Sequence, residues 1–220
     1  MIRLMITDDQ EMIRVGLRAV LGAFPDIEVV AEARDGLDAL RQVELHDPEV
    51  VLMDIRMPGI DGVEATRRLR EQYPADRLRI VVLTTFEHDE NVFAALRAGA
   101  NGFLNKAVGP EELVGSIREV MAGGGALSAA AAAVLIQHAS GPAAPAPDAA
   151  MVARFDALTS REREIVIAIV GGRSNEEIAS ELFLSPFTVK THANRAMTKV
   201  GARDRAQLVT LAIRAGITPR

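Results

Sequence analysis

Val50-Val51-Leu52-Met53 is a short apolar run that ends on Asp54, and Asp54 opens the loop Ile55-Arg56-Met57-Pro58-Gly59. A brief continuous apolar run bounded by turn residues is the pattern of a strand buried on both faces, and such strands belong to parallel sheets. The construction recurs along the chain. Ile2-Arg3-Leu4-Met5-Ile6-Thr7 is followed by Asp8-Asp9, Ile80-Val81-Val82-Leu83 by Thr84, and Gly102-Phe103-Leu104-Asn105 by Lys106. Laid parallel, these runs bring their closing residues to one edge of one sheet. Open α/β sheets hold their sites there, in the crevice outside the strand carboxyl ends.

Strand patterns fall near residues 3–7, 27–33, 50–54 and 79–84, with a weaker one at 102–105. Helical patterns lie between and after them, at roughly 11–22, 36–46, 61–71, 89–98 and 110–122. Five β/α units predict an α/β fold: a doubly wound five-stranded parallel sheet, helices on both faces, right-handed crossovers. Gly123-Gly124-Gly125 stops the fifth helix. The Ala-rich residues 127–138 pattern as a further helix, and Ala139 to Asp148, with three prolines, as an extended linker. After it the pattern is helical only. Thr159-Ser160-Arg161-Glu162 and Ser174-Asn175-Glu176-Glu177 have the spacing of capping boxes, and Ser185-Pro186 supplies an N-cap and an N1 proline. Helices are predicted up to Val170, from Glu176 to about Leu182, from Pro186 to Val200 and from Asp204 to about Ala215. The expected division is therefore 1–122, a linker over 123–153, and a small all-α domain over 154–220.

The 220 residues, 49% of them hydrophobic, are enough to bury a core in each part. With no cysteine, disulfides and thiolate metal sites are excluded. The N-terminus lacks a signal-peptide core, and no apolar stretch is long enough to span a bilayer, so the expected setting is the cytoplasm, away from membranes. Charge is divided unevenly. Residues 1–150 carry 14 Lys/Arg against 23 Asp/Glu; residues 151–220 carry 11 against 7. A basic module beside an acidic one suggests that only the basic one meets a polyanion.

Three carboxylates, a hydroxyl and an ammonium at one sheet edge suit a divalent cation and a phosphoryl group. An aspartate can attack phosphorus to give an acyl phosphate, and the remaining work is positioning and electrostatics. Asp54, at the end of the central strand, is the nucleophile candidate. Asp8 and Asp9 can hold Mg²⁺, directly or through water. Lys106 can pair with Asp54 at rest and with the phosphoryl group afterwards, and the Thr84 hydroxyl can donate to it. Each residue also has a plainer reading. Asp8-Asp9 could cap a helix, Asp54 could be a loop residue, Thr84 could be a β-former with Thr85 as its rival, and Lys106 could be a solvated lysine. Agreement at four strand ends outweighs them.

The order Asp8-Asp9, Asp54 to Gly62, Thr84 and Ala98 to Lys106 resembles a two-component response-regulator receiver domain, of flavodoxin-like topology, over about residues 1–122. The resemblance implies Asp54 as phosphoacceptor and Asp8, Asp9, Asp54 and the Arg56 backbone carbonyl as Mg²⁺ ligands. It further implies Thr84 and Lys106 as the phosphate-sensing pair, and Phe103 as an aromatic switch. Asn105 stands where that pattern leads one to expect an apolar residue, and Ala107 where a proline or acid is common.

In the basic module, the helices predicted on either side of Phe183-Leu184-Ser185 make a helix-turn-helix pattern, whose second helix would enter the DNA major groove. On it Val189, Ala193, Ala196 and Val200 share an inward face. Lys190, Thr191, Asn194 and Arg195 fall elsewhere and could meet bases, while Lys199 and Arg203 suit phosphates. A helical protein-interaction domain would share the helix count. The stretches Leu158 to Glu164, Ser174 to Ala179 and Leu184 to His192 resemble the LuxR-type helix-turn-helix over about residues 155–218. This resemblance implies DNA contacts from Lys190, Thr191 and Asn194, and a dimerising fourth helix. Val209, Leu211 and Ile213 would serve there or close the domain core.

Together the two halves resemble the NarL/FixJ class of response regulators. The expectation is a transcription factor, not an enzyme beyond self-phosphotransfer and self-dephosphorylation at Asp54. A sensor histidine kinase would supply the phosphate, double-stranded DNA would be the target, and the phosphorylated form would be a homodimer. Three rivals are weaker, one of them a receiver that works without phosphorylation, against which the intact acidic set argues. An aspartyl phosphohydrolase of the haloacid-dehalogenase kind wants a second acid two residues after its nucleophile, where Arg56 stands. A flavodoxin-like cofactor binder wants a Gly/Ser/Thr-rich loop where Asp8-Asp9 stands.

Overall fold

A computed structural model describes residues 1–84, 89–123, 126–127 and 148–217. The chain forms two compact units, Met1–Ala126 and Leu127–Arg220.

The first unit alternates strands and helices. They are β1 (Ile2–Thr7), α1 (Glu11–Leu21), β2 (Ile27–Ala33), α2 (Gly36–His46), β3 (Val50–Met53), α3 (Gly62–Gln72), β4 (Arg79–Thr84), α4 (Asp89–Ala98), β5 (Gly102–Asn105) and α5 (Pro110–Met121). The sheet order is β2-β1-β3-β4-β5, with all four of these pairings parallel. A two-residue strand, β6 (Ala126–Leu127), follows β5 at the edge. Leu127, expected to begin a helix, is therefore in a strand; the other residues of that expected helix and all but the last of the expected extended stretch lie outside the described residues.

Sheet order reverses between β1 and β3, which makes a crevice at their carboxyl ends. One sheet face packs Leu4, Ile6, Leu52, Val81 and Leu104 against Leu21 of α1 and Leu113, Val114, Ile117 and Val120 of α5. Strand alternation sends Met5, Val51, Met53, Val82 and Phe103 to the other face, and all five are buried. Helix α3 packs beside α2 and α4 in a second layer. The start of α3 is pressed against the end of β3. A Cβ added to Gly62 would lie 2.0 Å from the Asp54 carbonyl oxygen, and the Gly62 N–H donates to the Ile55 carbonyl at 2.9 Å. Only glycine permits that approach.

The second unit is helical: α6 (Ala149–Asp156), α7 (Ser160–Val170), α8 (Asn175–Leu182), α9 (Pro186–Val200) and α10 (Arg205–Arg214). Both expected capping boxes form, Thr159 with Glu162 and Ser174 with Glu177. Ser185 caps α9 through the Thr188 N–H, and Gly201 ends it at φ +77°. Helix α6 corrects the linker expected over 123–153, since residues 149–153 are helical. Asp148 caps it by accepting from the Ala150 and Met151 N–H groups, and Met151 and Phe155 are buried. Its eight residues carry only those two anchors, too few to show a periodicity beside an Ala/Pro-rich tract.

Candidate functional site

Strand register assembles the acidic crevice. Thr7 of β1 stands opposite Met53 of β3, so the next residues, Asp8 and Asp54, emerge side by side. The Asp54 N–H donates to the Thr7 carbonyl at 2.9 Å, which fixes their spacing. Thr84 stands opposite Asn105, so Lys106 leaves β5 beside the end of β4. Thr84 thus closes β4 at this edge; Thr85, its rival, lies outside the described residues.

Asp8 and Asp54 are buried and Asp9 is exposed. One carboxylate oxygen from each lies within 4.8 Å of the others. Three oxygen donors, two of them shielded from water, fit a hard cation such as Mg²⁺. Asp8 also does the humbler work of a cap: its Oδ1 accepts from the Gln10 N–H at 2.9 Å, ahead of α1, which has no side-chain bond from its own N-cap residue, Gln10. Arg56, whose carbonyl is a ligand candidate, is exposed in the loop two residues past Asp54.

The Lys106 ammonium reaches Asp54 Oδ2 at 2.9 Å and Asp8 Oδ2 at 2.5 Å. The bond to Asp8 has no sequence signal, because nothing in the chain order says which acid the lysine prefers. Asp54 Oδ1 accepts from the Ile55 N–H at 2.8 Å. Burial drives the Asp54 carboxyl above its usual range, against the pull of Lys106 and with the repulsion of Asp8. Burial would push Lys106 down, yet bonds to Asp8 and Asp54 outweigh it and hold the ammonium above the ordinary lysine range. Lys106 is held from behind by Asn105, whose Oδ1 accepts from the Ala107 N–H at 2.8 Å. This Asx turn occupies the place where the apolar residue and the proline or acid were expected. Phe103 is buried, 1% exposed, on the β5 face away from α5.

In the second unit, α9 divides as its sequence suggests. Val189, Ala193, Ala196 and Val200 are buried, with Met197 beside them. Lys190 and Thr191 are half-buried; Asn194, Arg195 and Arg203 are exposed. Lys199 is tied elsewhere, with its ammonium 2.7 Å from Oε2 of the buried Glu162. That places it in the domain's own frame more firmly than at a phosphate. Val209 is fully buried and closes the core, whereas Leu211 and Ile213 are half-buried. His192 is half-buried, and its Nδ1 is without a hydrogen-bond partner.

No helix among the described residues is long and apolar enough to cross a membrane. Residues 4–118 match the family described as response regulator receiver domain, and residues 156–212 that of bacterial regulatory proteins, luxR family. The transcriptional regulatory protein LiaR of Bacillus subtilis is 37% identical, with 97% of this chain and 98% of LiaR covered. The response regulator GacA of Pseudomonas protegens is 36% identical, over 99% and 98%. Among solved structures, the response regulator ChrA of a heme-sensing two-component system is 36% identical, covers 96% of each chain and superposes with a TM-score of 0.53.

Proposed function

The chain belongs to the two-component response regulators, DNA-binding transcription factors that join a receiver domain to a LuxR-type helix-turn-helix, and on that footing we propose that Asp54 is its phosphoacceptor. The observation that carries the reading is Lys106 bridging Asp54 and Asp8 in a buried crevice. A sensor histidine kinase supplies the phosphoryl group. An Asp54 carboxylate oxygen attacks the phosphorus of a phosphohistidine; the P–O bond forms as the P–N bond breaks, leaving an acyl phosphate and a free imidazole. Water later cleaves that acyl phosphate, returning Asp54 and inorganic phosphate.

Asp8, Asp9, Asp54 and the Arg56 carbonyl are the residues that would hold Mg²⁺, which when bound supplies positive charge for the phosphoryl oxygens. Lys106 changes partner, from the Asp54 carboxylate to the phosphoryl group it carries. The Thr84 hydroxyl donates to a second phosphoryl oxygen. The new group brings up to about two negative charges, and the loops that carry Thr84 and Lys106 close on it, with Phe103 following in the vacated space. That change biases a two-state surface. The outcome is a homodimer, with α10 among its contacts, that engages two half-sites of double-stranded DNA in the cytoplasm.

Labelling of the full chain with a phosphorylated histidine kinase tests the reading. Asp54→Ala is expected to form no acyl phosphate, and retention of full labelling by that variant removes Asp54 from its role.

A further inference from the structure

Phe187 is 79% exposed on α9, one residue past the N1 proline. A lone exposed apolar side chain is ordinary on a protein surface; what singles out Phe187 is the face it shares. At 100° per residue, Phe187, Lys190, Thr191, Asn194 and Thr198 fall on one stripe of α9, and the buried Val189, Ala193, Ala196 and Val200 fall on the opposite one. Phe187 is thus at the leading end of the outward stripe. It occupies the first turn of the second helix, the part that a helix-turn-helix presents to base edges.

A phenyl ring carries no conventional hydrogen-bond donor or acceptor, so an apolar group is its natural partner on a base edge. Along the major groove of unmodified duplex DNA, the base edges offer one such group, the 5-methyl of thymine. We propose that Phe187 reads a thymine methyl in each half-site, as a specificity-determining residue; this rests on the reading of α9 as the DNA-facing helix. Its neighbours divide the remaining labour. The Thr191 hydroxyl donates to the Phe187 carbonyl at 2.9 Å, so its proton is used within the helix and not on a base. Lys190 and Asn194 keep donors for guanine and adenine. The preceding turn is also unusual: Phe183, 95% exposed, sits in the left-handed region at φ +53°, where a side chain is tolerated at a steric cost. The excess of Lys and Arg over residues 151–220 supplies the charge complementarity that a polyanion requires.

Selection of duplexes from a randomised pool tests this, run in parallel with the full chain and with Phe187→Ala, both with Mg²⁺ and beryllofluoride. The wild-type pool is expected to converge on a site with a fixed thymine in each half. The Phe187→Ala pool keeps the other positions and loses that thymine. Replacing the thymine by deoxyuridine, which lacks only the methyl, weakens wild-type binding about fourfold per half-site, the ratio equivalent to ~0.8 kcal/mol for one buried carbon. The same replacement leaves Phe187→Ala unchanged. A wild-type site with no fixed thymine, or equal sensitivity to deoxyuridine in both proteins, overturns the assignment while leaving α9 as the DNA-binding helix. Absence of any salt-sensitive duplex binding by the wild-type chain overturns both.

Discussion

The Lys106 ammonium lies 2.9 Å from the Asp54 carboxylate, and the same ammonium binds Asp8, so one cation bridges two buried acids across the reversal point of the sheet. Lys106 and Mg²⁺ then answer to overlapping charge. Lys106→Ala leaves both acids without that partner, and breaking a buried pair from one side costs about 3–5 kcal/mol, less whatever Asp54 recovers by taking up a proton. Calorimetry of the full chain in chelator is expected to show a lower Tm for the variant. Added Mg²⁺ should restore it by more than it raises the wild type. Equal melting in chelator would mean that the lysine contributes nothing at rest.

Gly62 determines where Asp54 sits. A methyl there meets the backbone carbonyl oxygen of Asp54 at 2.0 Å, so β3 and α3 must move apart. Gly62→Ala is expected to cost about 1–3 kcal/mol in urea unfolding and to slow acyl-phosphate formation as well. Gly16 is the control. It lies in α1 with nothing within 4 Å of an added Cβ, and Gly16→Ala should stabilise by about 0.5–1 kcal/mol through helix propensity without touching phosphorylation.

Acid sensitivity of the second unit is expected to centre on Glu162. The Lys199 ammonium and the Thr159 N–H both bond its carboxylate and hold it below the ordinary glutamate range. A carboxyl whose folded pKa is depressed contributes stability above its unfolded value of about 4.3, and loses it as pH falls through the lower, folded value. Glu162→Gln should therefore destabilise the helical unit at neutral pH and flatten its stability profile below about pH 4. A variant profile parallel to the wild type across that range would show that the pair carries no pH dependence.

How far the chain order alone reaches depends on whether the physics is local. Five strands and their helices were legible because each strand is a short, mostly apolar run bounded by turn residues, and the convergence of Asp8, Asp54 and Lys106 follows from parallel strands ending at one edge. Family pattern, not spacing, carried the Arg56 and Phe103 assignments. Long-range polar bonds stayed hidden. The Asn101 Oδ1 accepts from the Ile80 N–H and from the Arg70 guanidinium, tying β4 to α3, and no residue period announces such a bond. Helix α6 was hidden for another reason. Its stability comes from burying Met151 and Phe155 in a core that the rest of the unit builds, so its own eight residues look like linker.

Asn105 is the residue where departure from the family pattern becomes measurable. Its Oδ1 takes the Ala107 N–H, and its carbonyl takes the Val108 N–H at 3.1 Å, so the turn after β5 is closed by two bonds around Lys106. Asn105→Ala removes the first bond and keeps the second. The turn is partly exposed, so water replaces the lost acceptor and the cost to stability is about 0.5–1.5 kcal/mol. The ammonium, however, loses the fixed approach that brings it to Asp54. The expected result is a several-fold slower rate of acyl-phosphate formation with a Tm within a few degrees of wild type, and recovery of the rate in Asn105→Asp, which keeps the acceptor oxygen. A purely structural role would instead lower Tm and phosphorylation together; wild-type labelling kinetics in Asn105→Ala would show that Lys106 is positioned by its two carboxylates alone.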